Sequence, residues 1–485
     1  MSKTPVVVRS VAATFATQII SWILSFAVMI YVPRYVGAVG YGKYALAASI
    51  VGIFSMIVPL GTGTVLVRDI ARDRSRTGEL LLSALIVRVP LALLMTVVAI
   101  ATVRLLGYPE ITRLLVTLMA LGMVFGTVNE SLASALQGQE KIPRQSLALL
   151  IEKFLSSATA IGLVYYRAPL WAFAAIGLFT VSVSLLVNLT AFAPLFPTLR
   201  WPSKTTVRYV VAAGMPFVAW TLFRTLYGQA DPIILSLITN DQTVGWYAAA
   251  LRLVGTTMFL PVAMIGALFP TLTRLYQEDL NEFQKLARRM LDLIILCAAP
   301  IACVCFFEPD RLIALMHYPK DFLGSVPVLR IGALSVYLYF MATVLGTIVI
   351  ATDGQSKMLR ASIAATIMTI PACLLGSYVT HVLWKNGAIG AMFSDALVEV
   401  YLVLSYLRMM PARTFNISSL FLMGRSLIAA LPVALLLAAT TRSHWGLWGL
   451  LPCIPVYLLM CWALRCLDPQ YLVLARSILA RRGKA

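Results

Sequence analysis

The stretch GKYALAASIVG at residues 42–52 recurs as GWYAAALRLVG at residues 245–255. Both copies follow the pattern G-x-Y-A-x-A-x-x-x-V-G, and every fixed position matches. A second pattern, G-Q-x-K-x-x-R, also occurs twice, at residues 138–144 and 354–360. In the order of the membrane spans predicted below, each pattern returns six spans later. This common offset indicates an internal duplication.

The composition of the chain excludes a water-soluble fold. Of its 485 residues, 60% are apolar and 12% are charged, and the mean hydropathy is +0.87. An ordinary soluble domain is about 45–50% apolar and about 25% charged. A spanning helix needs roughly 20 mostly apolar residues, and such runs recur along the whole chain. The sequence therefore predicts an all-α polytopic membrane protein with about fourteen transmembrane helices.

Apolar runs between charged, Pro or Gly breaks define the predicted spans. They are 11–31, 44–66, 79–103, 113–136, 146–166, 170–193, 209–238, 247–270, 290–307, 328–351, 359–381, 388–407, 419–440 and 446–464. An even count places both termini on one side, and about 24 of the Lys and Arg residues fall there, against about 10 on the other side. Because cytoplasmic loops are enriched in Lys and Arg, we predict cytoplasmic termini. We also predict a basic surface helix near 471–482.

The duplication predicts three parts of the chain. These are an N-terminal six-helix bundle over residues 1–196, a C-terminal six-helix bundle over 197–413, and two further helices with a basic cytoplasmic tail over 414–485. Six is an even number, so the two bundles have the same orientation and are related by an axis along the membrane normal. This arrangement places a transport site between two rocking bundles.

Charged residues inside the predicted spans are candidates for the functional site, because a charge at the bilayer centre costs about 2.5–3.5 kcal/mol. The basic candidates are Arg88, Arg224 and Arg252. A guanidinium binds phosphate oxygens in pairs, so one interpretation is a cationic cavity for an anionic headgroup. The alternative is ion pairing with Asp231 or Glu130. The acidic candidates for binding a coupling proton or sodium ion are Asp231, Asp395, Glu399 and Glu130.

Other features predict neither catalysis nor a resident cofactor. The seven cysteines lie in or beside apolar runs with no C-x-x-C motif, which supports neither disulfides nor a zinc site. There is no Walker pattern. The net charge of +19 is not gathered on a solvated domain, so nucleic acid is not an expected partner. We expect no catalytic residue and no metal ligand.

Several motifs resemble the polysaccharide-biosynthesis flippases (Wzx type) of the multidrug/oligosaccharidyl-lipid/polysaccharide exporter superfamily. They are Pro33-Arg34-Tyr35-Val36-Gly37, Tyr41-Gly42-Lys43-Tyr44-Ala45, Gly214-Met215-Pro216 with Asp231, the repeat at 245–253, and Gly354-Gln355-Ser356-Lys357. In order, they cover nearly the whole chain. Pro59 departs from the pattern, because many members of that family carry an acidic residue there.

The resemblance implies a MATE/MurJ-like fold and a flippase in the cytoplasmic (inner) membrane. It implies transfer of polyprenyl-diphosphate-linked oligosaccharides by alternating access, for O-antigen, capsule or exopolysaccharide synthesis, with cavity cations that include Arg34 holding the diphosphate. Implied partners are this lipid-linked substrate, membrane lipids and other polysaccharide assembly proteins. Protons, sodium ions or the membrane potential remain candidate driving forces. Two negative charges moving outward gain about 4–5 kcal/mol per 100 mV, so ATP is not required.

Three alternatives remain open. A lipid II flippase or a cation-coupled multidrug exporter would share the fold. A membrane glycosyltransferase or polymerase, from another class, would need catalytic residues on large outer loops, and the longest predicted outer connection is residues 308–327. His317, His381 and His444 all fall in predicted outer loops and leave a shared acid/base or metal site open.

Overall fold

A computed structural model describes residues 4–411, 414–415, 417–442 and 452–466, and these residues are helical except for short connections. The α-helices of this part are α1 Thr4–Ser55, α2 Thr62–Arg72, α3 Thr77–Leu105, α4 Glu110–Gly138, α5 Ile142–Tyr165, α6 Leu170–Phe192, α7 Lys204–Ile238, α8 Asp241–Thr256, α9 Phe259–Glu278, α10 Leu280–Phe307, α11 Pro309–Leu315, α12 Ser325–Ala351, α13 Gln355–Trp384, α14 Gly387–Met409, α15 Ile417–Arg442 and α16 Cys453–Ala463. The predicted helix at 471–482 and His444 lie outside the described residues.

Eleven helical segments of the described chain are long and apolar enough to cross a membrane. The prediction of an all-α, multi-pass membrane protein is therefore confirmed. The count of fourteen spans, the cytoplasmic termini and the bounds of the three parts stay predictions.

The structure differs from the predicted spans at the first helix. Spans 11–31 and 44–66 were separated at the polar residues between them, but α1 covers the first span and continues into the second as far as Ser55, with a kink at Gly37 (φ 68°, ψ 176°). Glycine adopts this positive φ without a steric penalty, so the helix changes direction there without a loop. The helix then ends at Ser55, and the sequence continues through turns to α2.

Two expectations about outer loops are also corrected. The predicted connection over 308–327 contains α11 and a 3₁₀ turn at Lys320–Phe322. Proline at the first position of α11 favours a helix start, because its missing N–H would be unpaired there in any case. His381 does not lie in a loop but in the last turn of α13. Its helix continues because no helix breaker occurs before Trp384.

The helix order repeats around the two copies of the first motif. The arm of α1 after Gly37 ends at Ser55 and is followed by α2; α8 carries the second copy, ends at Thr256 and is followed by α9. Both copies therefore lead into a break between two helices. This correspondence agrees with the internal duplication read from the sequence.

The two copies cross at their first glycines. A Cβ added to Gly42 would lie 1.8 Å from the carbonyl oxygen of Asp241, and one added to Gly245 would lie 2.0 Å from that of Ala38. The same spacing of 203 residues separates Gly42 from Gly245 and Ala38 from Asp241. Each contact is thus the symmetric counterpart of the other, as at a two-fold axis. The predicted first half (1–196) and second half (197–413) therefore meet backbone to backbone, because neither glycine has a side chain.

We name the two ends of the bundle by their residues. The basic end carries Arg68, Arg72, Arg74, Arg76, Arg200, Lys204 and Arg208; the opposite end carries the crossing of α1 with α8. Helix α7 begins at the basic end, where Val210 packs in one buried cluster with α2, α3 and α4 of the first half. Its last turns pack with the second half, in which α12 is the most buried of the eleven candidate spans.

Candidate functional site

Two of the predicted cationic residues act electrostatically on the same tyrosine between the halves. Arg34 of α1 and Arg252 of α8 both act electrostatically on the phenol of Tyr318, which lies between α11 and α12. Burial raises the pKa of Tyr318, and the two guanidinium charges act in the opposite direction. Arg252 also lies within electrostatic reach of Tyr41 and Tyr44 of α1. The side chain of Arg252 therefore faces the first half across the interface.

The two arginines differ in their bonding. The Nε of Arg34 donates to the carbonyl oxygen of Met316 at 2.5 Å, and its guanidinium stacks 5.5 Å from the ring centroid of Tyr31. Arg252 is exposed and, among the described side chains, has no hydrogen bond or ion pair. A permanently charged group without a partner at an interface is available to an anionic ligand.

The segment 316–324, which we call the strap, links α1 to the second half at the opposite end. On the α1 side, the backbone N–H of Ala38 donates to Oδ2 of Asp321 at 2.7 Å. On the other side, Nε1 of Trp246 donates to the carbonyl oxygen of Asp321 at 2.6 Å. Asp321 thus bridges both halves directly beside the glycine crossing. The strap and the crossing together close this end of the interface.

Arg88 is placed in a different setting. It is fully buried on α3, and its Nη2 lies 2.6 Å from Oε2 of Glu130 on α4, whose side chain is 52% exposed. The structure therefore brings Arg88 to Glu130, one of the two acids considered as its partner. Leu121 and Phe125 mark the outward face of α4, and Glu130 lies half a helical turn away from Leu121. The carboxylate of Glu130 thus faces the bundle interior.

One predicted residue lies outside the described side chains. Arg224 belongs to α7, one turn before Tyr227, but its side chain is not among those described. Its assignment to the cationic cavity stays a prediction.

Three predicted acids gather in the second half and are bound by phenols. Oδ2 of Asp231 accepts a hydrogen bond from Tyr247 at 2.8 Å. Tyr227 lies 3.0 Å from Oδ1 of Asp395 and 2.7 Å from Oε1 of Glu399. The hydroxyl of Tyr339 donates to the other oxygen of Asp395. All three acids are 3% exposed.

A cavity of about 430 Å³ leads to this cluster. Its inner wall carries Tyr227, Tyr339 and Glu399, and it extends to Ile350 in the last turn of α12 and Met358 in the first turn of α13. Those turns lie at the basic end. Oε2 of Glu399 is buried and has no hydrogen-bond partner among the described residues. One carboxylate oxygen of the cluster is therefore left without a protein partner at the cavity.

The sequence did not single out the phenols of this cluster or Asp321. One signal was present, because Tyr247 is a fixed position of the first repeated pattern. Tyr227 and Tyr339 lie on separate helices with no shared motif. No group of three His, Cys, Asp or Glu side chains suited to holding a metal ion occurs within the described residues.

Comparison with known proteins assigns the family. The family model described as polysaccharide biosynthesis protein matches residues 7–276, more than half of the chain. The chain belongs to this family. The resemblance read from the motifs is thus confirmed.

One named protein and two solved structures are similar to this chain. The chain is 25% identical over 300 residues to the probable flippase AglR of Haloferax volcanii, and it spans 61% of the length of that protein. The lipid II flippase MurJ in an inward closed conformation has a TM-score of 0.73 at 14% identity, with 93% of this chain and 98% of that chain covered. An inward-facing MATE multidrug transporter of the MOP superfamily has a TM-score of 0.68 at 16% identity, with coverages of 80% and 94%. The family member described here has the MATE/MurJ fold.

Proposed function

We propose that the protein is a flippase that moves a polyprenyl-diphosphate-linked oligosaccharide from the cytoplasmic to the outer leaflet by alternating access. The observation that carries the proposal is the guanidinium of Arg252, which is unpaired among the described side chains and acts with Arg34 of the other half on the same phenol, Tyr318. Family membership and the name of the Haloferax relative support a flippase. Neither supports an enzyme, since no relative reported above is named as one.

A diphosphate suits this pair of cations. A guanidinium can donate two parallel N–H groups to phosphate oxygens, and such charge-assisted bonds are stronger than those between neutral groups. Arg34 and Arg252 belong to different halves, so an anion held between them would contact both halves at once. Binding of the headgroup would then favour one arrangement of the halves over another.

Alternating access requires the opposite end to open. In the structure, the glycine crossing and the strap close that end. If the basic end faces the cytoplasm, as the charge distribution predicts, the closed end faces outward. Release of the substrate would then require α1 and α8 to part and the bridge through Asp321 to break.

The buried acids supply a means of driving the cycle. Asp231, Asp395 and Glu399 lie buried in the second half, so a cation bound there would change the net charge of one half. We assign to them the coupling of substrate release to an ion gradient. The proposal rests on their burial, since carboxylates are expensive to bury without a compensating positive charge.

The test is complementation of a strain that lacks its polysaccharide flippase, followed by transport of a fluorescent polyprenyl-diphosphate disaccharide in vesicles. Arg252→Ala should lower the transport rate about 10- to 150-fold, because a hydrogen bond to a charged group contributes about 1.5–3 kcal/mol. Arg252→Lys keeps the charge but not the paired geometry and should be intermediate.

Arg274→Ala is the matched control, because Arg274 is exposed at the basic end and only pairs with Glu278. Transport by Arg252→Ala at the wild-type rate would remove the assignment. Efflux of cationic dyes without lipid transport would favour the multidrug alternative. Rescue of a lipid II flippase deficiency, with no polysaccharide rescue, would favour lipid II.

A further inference from the structure

One phenol in the second half touches two buried acids. The hydroxyl of Tyr227 lies 3.0 Å from Asp395 and 2.7 Å from Glu399. A phenol has a single proton and can donate it to one acceptor at a time. The second short contact is therefore favourable only when the other carboxyl carries a proton and donates it to the phenol oxygen. The geometry fits one proton shared between Asp395 and Glu399.

The described surroundings of the two carboxyls favour such a proton. The groups that face them are Tyr227 and Asp231 of α7, Tyr247 of α8, Tyr339 of α12 and Cys373 of α13. None of these carries a positive charge. Within the described side chains, neither Asp395 nor Glu399 has a Lys or Arg partner. Two adjacent negative charges in a low-dielectric interior would repel strongly, whereas one bound proton leaves a single charge.

The cavity gives this proton a route. Glu399 lines the cavity, and no described residue bonds its Oε2. Asp395 is not among the lining residues, and phenols bond both of its oxygens. Glu399 therefore faces the cavity, and Tyr227 separates it from Asp395.

We propose that Asp395, Tyr227 and Glu399 form a proton relay that exchanges protons with the basic end through this cavity. The inference rests on the ion coupling proposed above and names the ion as a proton. When Glu399 is protonated and Asp395 is ionised, the proton of Glu399 passes to the phenol oxygen while the phenol proton passes to Oδ1 of Asp395. Glu399 becomes a carboxylate, Asp395 becomes a carboxylic acid and Tyr227 stays neutral throughout.

The test measures protonated carboxyl groups by infrared spectroscopy of the full chain in nanodiscs, with no lipid substrate. Between pH 5 and 8, wild type should show a protonated-carboxyl band that weakens in both Glu399→Gln and Asp395→Asn. On mixing with D₂O, Tyr227→Phe should slow the isotope shift of the Asp395 part of the band at least tenfold. Thr343→Val, which removes another hydroxyl from the same cavity, is the matched control.

A second pair of variants tests the cavity and leaves the relay residues in place. Gly228 lines the cavity, and a Cβ added there meets nothing within 4 Å, so Gly228→Leu should fill space and slow exchange at Glu399 at least tenfold. Gly255 is equally open but is not a lining residue, so Gly255→Leu should exchange like wild type.

Three results would overturn the relay. The first is a protonated-carboxyl band that neither acid substitution weakens. The second is an unchanged rate of deuterium exchange in both Tyr227→Phe and Gly228→Leu. The third is a saturable loss of the band on adding sodium ions at constant pH, which would make the site a sodium site. Because this readout needs no substrate, the relay can fail while lipid transport persists. Lipid transport can also fail while the relay stands.

Discussion

Replacing Gly245 with Ala should shift the protein toward a state that is open at the opposite end. The added Cβ would lie 2.0 Å from the carbonyl oxygen of Ala38, whereas Cβ atoms essentially never approach other heavy atoms within 3.0 Å. The arm of α1 after Gly37 and α8 must therefore part by about 1 Å. Overpacking of this kind typically costs about 1–3 kcal/mol.

The cost falls on the closed state alone if the crossing separates during transport. The ratio of open to closed molecules would then rise about 5- to 150-fold. Alanine also has a higher helix propensity than glycine, by about 1 kcal/mol. Gly255→Ala has the same propensity gain in the same motif, and its Cβ meets nothing within 4 Å. The difference between the two variants therefore isolates the clash.

Accessibility of a cysteine at position 46 reports the opening. Leu46 is fully buried one turn after Gly42, so Leu46→Cys should react with a membrane-impermeant maleimide only when the crossing parts. The exposed Cys297 is replaced by Ser to lower the background. Labelling should be several-fold faster with Gly245→Ala than with Gly255→Ala. Equal labelling of the two variants would refute the proposal that this crossing is the gate.

Three further predictions concern single contacts. Glu130→Gln leaves the buried Arg88 without its carboxylate partner, so the free energy of unfolding should fall by about 3 kcal/mol. The double variant Glu130→Gln with Arg88→Met should recover part of this loss. No recovery would show that the loss does not come from the broken ion pair. The hydrogen bond from Arg68 lowers the pKa of Asp69, so Asp69→Asn should lower the free energy of unfolding by a constant amount from pH 8 to about 5. The difference between wild type and variant should shrink only below a pH of about 4, where acid begins to protonate Asp69. A difference that changes near pH 7 would contradict this. Asp321→Ala should raise the rate of maleimide labelling of Leu46→Cys about tenfold. Asp321→Asn keeps an acceptor oxygen for the N–H of Ala38, so it should change the labelling rate little. Equal effects of the two variants would exclude the strap as a closing contact.

For the charged candidates, residue type alone predicted burial but not pairing. Their presence inside apolar runs followed from the cost of burying charge, and the structure finds Arg88, Asp231, Asp395 and Glu399 buried. Which of them pair could not be read from spacing, because the partners lie on different helices. Arg88 bonds an acid 42 residues away, and Glu399 shares a phenol 172 residues away. Such pairs depend on helix rotation and packing.

The hydropathy pattern wrongly predicted a loop at a point where a backbone dihedral angle, and not composition, sets the direction of the chain. Charged and polar residues around Arg34 suggested a loop, yet the helix continues and turns at Gly37. A single glycine with positive φ replaces the loop, and hydropathy does not register backbone dihedrals.

The sequence by itself determined that this is a helical membrane protein and that it carries charges too costly to face lipid, and it predicted that its two halves are copies of one unit. These properties follow from composition, length and repetition, which can be counted along the chain without knowing any contact between helices. Only the tertiary structure decided that the repeated glycines cross one another, that Arg252 faces the first half with no partner among the described side chains, and that Tyr227 joins two acids beside a cavity. Those contacts depend on distances of a few ångströms between helices that are far apart in sequence, and no local pattern encodes them.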